Sequence, residues 1–372
     1  MTLRDRWLAL RDRLLSDPRF QSWAAAFPLT RPIARARASE LFDLCGGFIY
    51  SQILLACVRL NLFEILAEGP QSAAELAPSL SLTPSRAERL LEAAVALRLL
   101  QKRSGGRYGL GPHGAALLGN KGIAEMVEHH SILYEDLRDP LALLRGELGE
   151  TALQRYWAYA GTGDPAAESA DRTTAYSDLM SASQAMVAEE VLAAYPLRRH
   201  RCLLDVGGGQ GTFLRAVAKQ APELQLRLFD LPAVAAQAEK AFAADGLSDR
   251  AATFGGDFHR DALPQGADIV SLVRILHDHD DVEALALLKT ARAALPDHGT
   301  LLIAEPMAGT PGAAPSGAAY FGFYLLAMGS GRPRRPDELI AMLKAAGFGQ
   351  TRLLPTRRPL IARVLVARPQ VA

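Results

Sequence analysis

The chain has 372 residues, with 41 basic against 40 acidic side chains, a net charge of +1 and 49% hydrophobic residues. That length implies two domains, and the apolar share excludes wholesale disorder. The near-neutral balance gives no electrostatic case for a nucleic-acid partner; three scattered cysteines (Cys45, Cys57, Cys202) exclude a disulfide framework and fit a reducing, cytoplasmic compartment.

Residues 1–40 read as a basic, aromatic extension. Their start, Met-Thr-Leu-Arg-Asp-Arg-Trp, lacks the apolar core of a signal peptide. Eight Arg face four acids (Asp5, Asp12, Asp17, Glu40), with Trp7, Phe20, Trp23 and Phe27 among them. Two readings stay open: peripheral contact with an anionic membrane surface, and a solvated helix packed on its own protein or on a second copy. The uncharged run Leu44–Val58 is too short to span a bilayer.

Residues 41–135 have a helical texture that ends in a hairpin. Thr83-Pro84 is a helix start, with Thr as N-cap and Pro at the first helical position. The helix expected over 85–100 turns Leu90, Leu91, Ala94, Val95 and Leu97 inward. Ser104-Gly105-Gly106 then reads as a hairpin turn. This is winged-helix order. The charges on 85–100 are mixed in sign, which favours packing or dimerisation over DNA binding.

Residues 136–200 read as helical linkers. From Arg201 the rhythm alternates strand and helix, with strands expected at 202–206, 226–229, 251–254, 269–276, 301–304, 351–354 and 361–366. Helices are expected at 213–220, 233–244, 282–295 and 337–346. The fold class is therefore α/β: a doubly wound, Rossmann-like parallel sheet over 201–372. The last two strands, joined by a short Pro-containing link, must pair antiparallel.

The chemistry-bearing motif is Leu204-Asp205-Val206-Gly207-Gly208-Gly209-Gln210-Gly211, after the first strand of that sheet. A dinucleotide fingerprint would need glycine at 212, where Thr stands. Asp205 with Gly207, Gly209 and Gly211 fits S-adenosylmethionine better: the cofactor offers an ammonium and a carboxylate rather than a pyrophosphate. Asp230 ends the second strand, placed to accept ribose hydroxyls. Asp257-Phe258 ends the third, where an acid and a ring suit adenine. Arg274 and His277 end the fourth, and Glu305 the fifth. Ligands bind outside the carboxyl ends of such strands. His277-Asp278-His279-Asp280-Asp281 offers metal-ligand residue types, but no matching set stands elsewhere, so no metal is expected. His277 is instead a candidate general base, its ring oriented by Glu305.

These residues, taken together and in this order, resemble the plant-type, metal-independent O-methyltransferase family over about residues 40–370. Asp205–Gly211, Phe229-Asp230-Leu231-Pro232, Gly256-Asp257-Phe258, Ile275-Leu276-His277-Asp278 and Ala304-Glu305 carry the resemblance. It implies a winged-helix dimerisation domain, a homodimer and S-adenosylmethionine as cofactor. It also implies Gly207 at the methionine part, Asp230 at the ribose, and Asp257, Phe258 and Arg274 at the adenine side, with Leu231 also among the cofactor-binding residues. His277 would be the base, with Glu305 and Asp278 in support, and Met180 would flank the substrate. Arg274 stands where many relatives have Lys, and Pro333 where a second supporting acid is usual. Phe27–Ala34, Phe48–Gln52 and Leu326–Arg334 are similar to the bacterial carotenoid branch of that family. That branch implies a long acyclic carotenoid with a tertiary hydroxyl as the apolar substrate.

The uncharged run after Glu305 contains Tyr320, Phe323 and Tyr324. It reads either as a wall for that substrate or as ordinary core. Other acceptors, a phenolic polyketide or a tetrapyrrole carbon, stay open, as does a ligand-sensing DNA-binding regulator built on the winged helix.

Overall fold

The computed structural model describes residues 2–156 and 183–370. The chain divides into two compact units, Met1–Asn120 and Lys121–Ala372.

The first unit is helical: α1 (Leu3–Ser16), α2 (Pro18–Ala26), α3 (Arg31–Arg59), α4 (Leu62–Ala67), α5 (Ala73–Ser79) and α6 (Pro84–Ala96) precede a hairpin and α7 (Pro112–Leu118). Thr83 caps α6 as expected, its hydroxyl accepting from Arg86 N at 3.4 Å. The helix stops four residues early, however. Arg98 adopts a left-handed φ of 59°, which no helix interior accommodates, and Leu100 begins β1 (Leu100–Arg103). β1 pairs antiparallel with β2 (Arg107–Leu110) across Ser104–Gly106, the expected turn. By length and composition α3 could cross a bilayer, with a mean hydropathy of 1.7 in its most apolar window. Near its end, though, Leu55 and Cys57 are buried in the unit's own core.

The second unit opens with α8 (Lys121–Asp136) and α9 (Pro140–Arg145). A seven-stranded sheet of order β5-β4-β3-β6-β7-β9-β8 follows. Its strands are β3 (Cys202–Val206), β4 (Gln225–Asp230), β5 (Ala251–Gly255), β6 (Ile269–Val273), β7 (Thr300–Glu305), β8 (Phe348–Leu354) and β9 (Arg363–Pro369). β3 to β7 pair in parallel and β8 runs the same way, while β9 alone is reversed, antiparallel to β7 and β8, as the short final link requires. β3, β6 and β7 are buried along their whole length, which explains their predominantly apolar sequences; the polar exceptions Asp205 and Ser271 bond each other.

Neighbouring residues on a strand serve opposite faces. Leu203 packs with Phe213, Leu214, Val217 and Phe242 on one side; Leu204 joins Leu272, Leu287, Leu288 and Ile303 on the other. The helices behind these contacts are α10 (Thr212–Gln220), α11 (Pro232–Ala244), α12 (Asp281–Ala294) and α14 (Pro336–Ala345), whereas α13 (Gly322–Met328) packs in a separate cluster with Leu133, Leu143 and Leu153. Strand order reverses between β3 and β6, which opens a crevice at their carboxyl ends. β6 ends at Val273 rather than at 276. Arg274 takes a left-handed φ of 59°, and Leu276–Asp278 forms a single 3-10 turn.

Candidate active site

The glycine loop leaves β3 at the reversal point. Gly207 has φ +68°, and a Cβ there would lie 2.4 Å from Ile275 Cδ1, so no larger residue fits. Around Gly209 (φ +57°) a Cβ would meet nothing within 4 Å, so this part of the loop faces open space. Beneath the loop Asp205 is buried and accepts from Ser271 Oγ at 2.6 Å. Burial pushes its carboxyl up to about 7.

Asp230 ties the loop to β4. Its Oδ2 accepts from Gly209 N at 2.8 Å and its Oδ1 from Leu231 N at 2.7 Å. Burial nonetheless lifts its pKa above the ordinary carboxylate value. Each oxygen keeps a further lone pair, so the carboxylate can still accept from a diol.

After β5, Asp257 folds a tight turn, with Oδ1 accepting from His259 N at 2.9 Å. Phe258 sits 4.5 Å from the His259 ring and 5.4 Å from the His279 ring, the latter edge-to-face. His259 and His279 thus join this aromatic group; from sequence His279 reads only as a metal-ligand type, and His259 has no role there. Arg274 continues the β7 ladder by donating its N–H to Ala304 O at 2.8 Å. Its guanidinium donates to Ser183 Oγ at 2.9 Å.

His277 is buried on the 3-10 turn. Its ring Nε2 lies 2.9 Å from Asp278 Oδ1. Its backbone N–H donates to Glu305 Oε2 at 3.2 Å. Glu305 therefore holds the backbone of His277, and Asp278 holds its ring. His277 Nδ1 and Glu305 Oε1 are both buried without a hydrogen-bond partner. Burial disfavours the imidazolium, but Asp278 and Glu305 outweigh it and raise the His277 pKa. Burial raises that of Glu305.

One residue without a role in the sequence reading holds this turn. Arg334 is fully buried and donates to Leu276 O at 2.6 Å, to His279 O at 2.7 Å and to Asp281 Oδ1 at 2.9 Å. Ser330 Oγ adds a bond to Asp278 O at 2.8 Å. At Gly331 a Cβ would sit 2.1 Å from His277 O. The signal in the sequence was charge complementarity: Arg332 and Arg334 against Asp280-Asp281.

The uncharged run forms a π-helical turn, Pro315–Phe321, leading into α13. Phe321 lies 5.8 Å from the His277 ring. Tyr320 and Tyr324, four apart, share a helix face, their ring centroids 6.0 Å apart. Histidines of α8 bond both hydroxyls: His130 Nε2 to Tyr320 at 2.8 Å and His129 Nε2 to Tyr324 at 2.7 Å. Burial lowers the His129 pKa to about 4 and pushes that of Tyr320 up to about 12, so both groups are neutral. Phe323 is 37% exposed and is not brought into this group. Met180 lies outside the described residues.

The open face at Gly209, the acceptor capacity of Asp230 and the aromatic group at Phe258 fit a nucleoside-bearing ligand laid across the strand ends. The chain matches the O-methyltransferase domain over residues 134–349 and the O-methyltransferase dimerisation domain over residues 42–120. It is 43% identical to the demethylspheroidene O-methyltransferase of Cereibacter sphaeroides, over 97% of this chain and 95% of that protein. It is 42% identical to the protein of the same name from Rhodobacter capsulatus, over 95% and 88%. The solved structure of LaPhzM superposes with a TM-score of 0.70 at 27% identity, covering 90% of this chain and 99% of that one. The chain therefore belongs to the O-methyltransferase family: it is an S-adenosylmethionine-dependent O-methyltransferase, and its dimerisation domain supports a homodimer.

Proposed function

We propose that the chain methylates the tertiary hydroxyl of an acyclic carotenoid, as in spheroidene-type biosynthesis, with His277 as general base. The observation that supports this acceptor is the nearly end-to-end likeness to two demethylspheroidene O-methyltransferases. A buried imidazole beside the aromatic group of Phe321, Tyr320 and Tyr324 suits an apolar acceptor that carries one hydroxyl.

Asp205, Gly207, Gly209 and Gly211 would shape the cradle for the methionine part of the cofactor, Asp230 would hold the ribose with the Leu231 N–H fixing its carboxylate, and Asp257, Phe258 and Arg274 the adenine side. S-adenosylmethionine supplies an electrophilic methyl group on a sulfonium. Asp278 fixes the His277 proton on Nε2, which leaves the Nδ1 lone pair as the base. Nδ1 would take the proton of the acceptor hydroxyl while the site holds that oxygen toward the cofactor's methyl. Even with its pKa raised by Asp278 and Glu305, the His277 imidazole cannot ionise an alcohol beforehand, so proton removal would accompany transfer. Glu305 and Arg334 keep the turn in place, and the aromatic side chains keep water away.

The protein is cytoplasmic in this scheme and meets the membrane that dissolves its substrate through residues 1–40. Incubation with labelled S-adenosylmethionine and a hydroxylated acyclic carotenoid, followed by chromatography, tests the acceptor. A labelled carotenoid ether is the expected product. Labelling of phenolic or tetrapyrrole acceptors with no carotenoid product would overturn it.

A further inference from the structure

The first helix carries a face that nothing in its own unit covers. Leu3, Trp7, Leu10 and Leu14 recur at the i, i+4, i+7, i+11 spacing of a single stripe, and all four are exposed, Trp7 at 63%. Arg4 and Arg11 flank one side of this stripe, and Arg6 and Arg13 the other. Asp5 and Asp12 stand on the far side, together with the half-buried Leu8 and Ala9. Arg11 pairs with Asp12, but Arg4, Arg6 and Arg13 make no ion pair among the described residues. The helix is firmly begun, with a capping box between Thr2 and Asp5, so the stripe is held in register. On α2, Trp23 is 51% exposed and stacked on Phe27, their centroids 5.1 Å apart.

An apolar ridge with unpaired arginines on both shoulders and its acids turned away matches an anionic bilayer surface. Leucine and tryptophan enter the acyl boundary while guanidinium groups reach phosphates. A second copy of the chain fits it less well. Self-packing along the ridge would set arginine against arginine, and the dimerisation match begins at residue 42, after this helix. We infer that α1 lies in the headgroup plane of an anionic phospholipid bilayer, Leu3, Trp7, Leu10 and Leu14 downward, and so docks the enzyme on the membrane. This deepens the peripheral contact proposed above and does not depend on which acceptor is methylated.

The test is co-sedimentation of the full chain with vesicles of phosphatidylcholine alone, or with roughly a third phosphatidylglycerol, at low and high salt. Binding is expected to the anionic vesicles and to fall as salt rises. Arg4→Gln, Arg6→Gln and Arg13→Gln should each weaken it about fivefold. Trp7→Glu with Leu10→Glu should abolish it, with circular dichroism and solution mass unchanged. Equal binding to both vesicle types, or no binding to either, would overturn the inference. So would loss of the dimer in the Trp7/Leu10 variant, which would assign the ridge to a second copy. Turnover of detergent-dispersed carotenoid is measured in parallel. Turnover without vesicle binding sinks the docking alone, and vesicle binding without turnover sinks the acceptor alone.

Discussion

Asp278 Oδ1 stands 2.9 Å from Nε2 of His277, its immediate neighbour in the chain. The 3-10 turn allows this by curling the two side chains together, while Glu305 reaches the same residue from β7 through its backbone N–H. The negative charge beside the ring thus comes from the turn itself, and the anchor from the sheet.

His277→Ala removes the proposed base. Methyl transfer should fall by about 10²–10⁴-fold, because a positioned base contributes that much. Affinity for S-adenosylhomocysteine by calorimetry should stay within a few-fold, since His277 lies off the glycine loop. Near-normal turnover would remove His277 from the mechanism.

Asp278→Asn tests the ring partner through pH. The base must be neutral to accept a proton, so activity rises with pH through its pKa. Asp278 and Glu305 hold that pKa above the usual histidine value. Loss of the Asp278 charge should move the acid limb of the kcat profile to lower pH, while the plateau drops. A limb that stays in place would show that Asp278 does not set the titration.

Asp230→Asn probes the cofactor cradle. Both Asp230 oxygens accept backbone N–H groups, so an amide must turn its NH2 toward Gly209 or Leu231. Cofactor affinity should fall by about 10–100-fold, in line with loss of a charge-assisted bond. Unchanged affinity by calorimetry would exclude Asp230 from binding.

Arg334→Met strips the turn of its clamp. The carbonyls of Leu276 and His279 would be left buried and unpaired, at a cost of about 2–5 kcal/mol. Melting temperature and kcat should both fall. Arg334→Lys keeps the charge but not the planar fork, so it should recover solubility more than kcat. A lysine variant with full kcat would show that charge alone suffices.

Tyr324→Phe deletes the 2.7 Å bond to His129. Stability should drop by about 1–2 kcal/mol. If this wall meets the acceptor, acceptor KM should change while cofactor affinity does not. A shift in cofactor affinity instead would place the pair on the other side of the site.

Local pattern carried much of this protein. Short, mostly apolar runs such as Cys202–Val206 and Ile269–Val273, set in a strand–helix rhythm, suit parallel strands covered on both faces, and the structure buries them so. Thr83-Pro84 and the Ser104-Gly105-Gly106 turn are decided by their own residues. The polar residues at strand ends were legible because strand polarity alone sends them to one edge of the sheet. What the sequence could not determine was set by groups distant in the chain. Arg274 is forced into left-handed backbone between β6 and the turn, which ended the strand three residues early. Arg334 acquired its position because buried carbonyls around His277 need donors, and the nearest are some sixty residues away in sequence. The division of labour between Asp278 and Glu305 turned on a few ångströms of tertiary placement. Residue type and spacing fix which groups reach the site, but only packing fixes which atom of each faces the other.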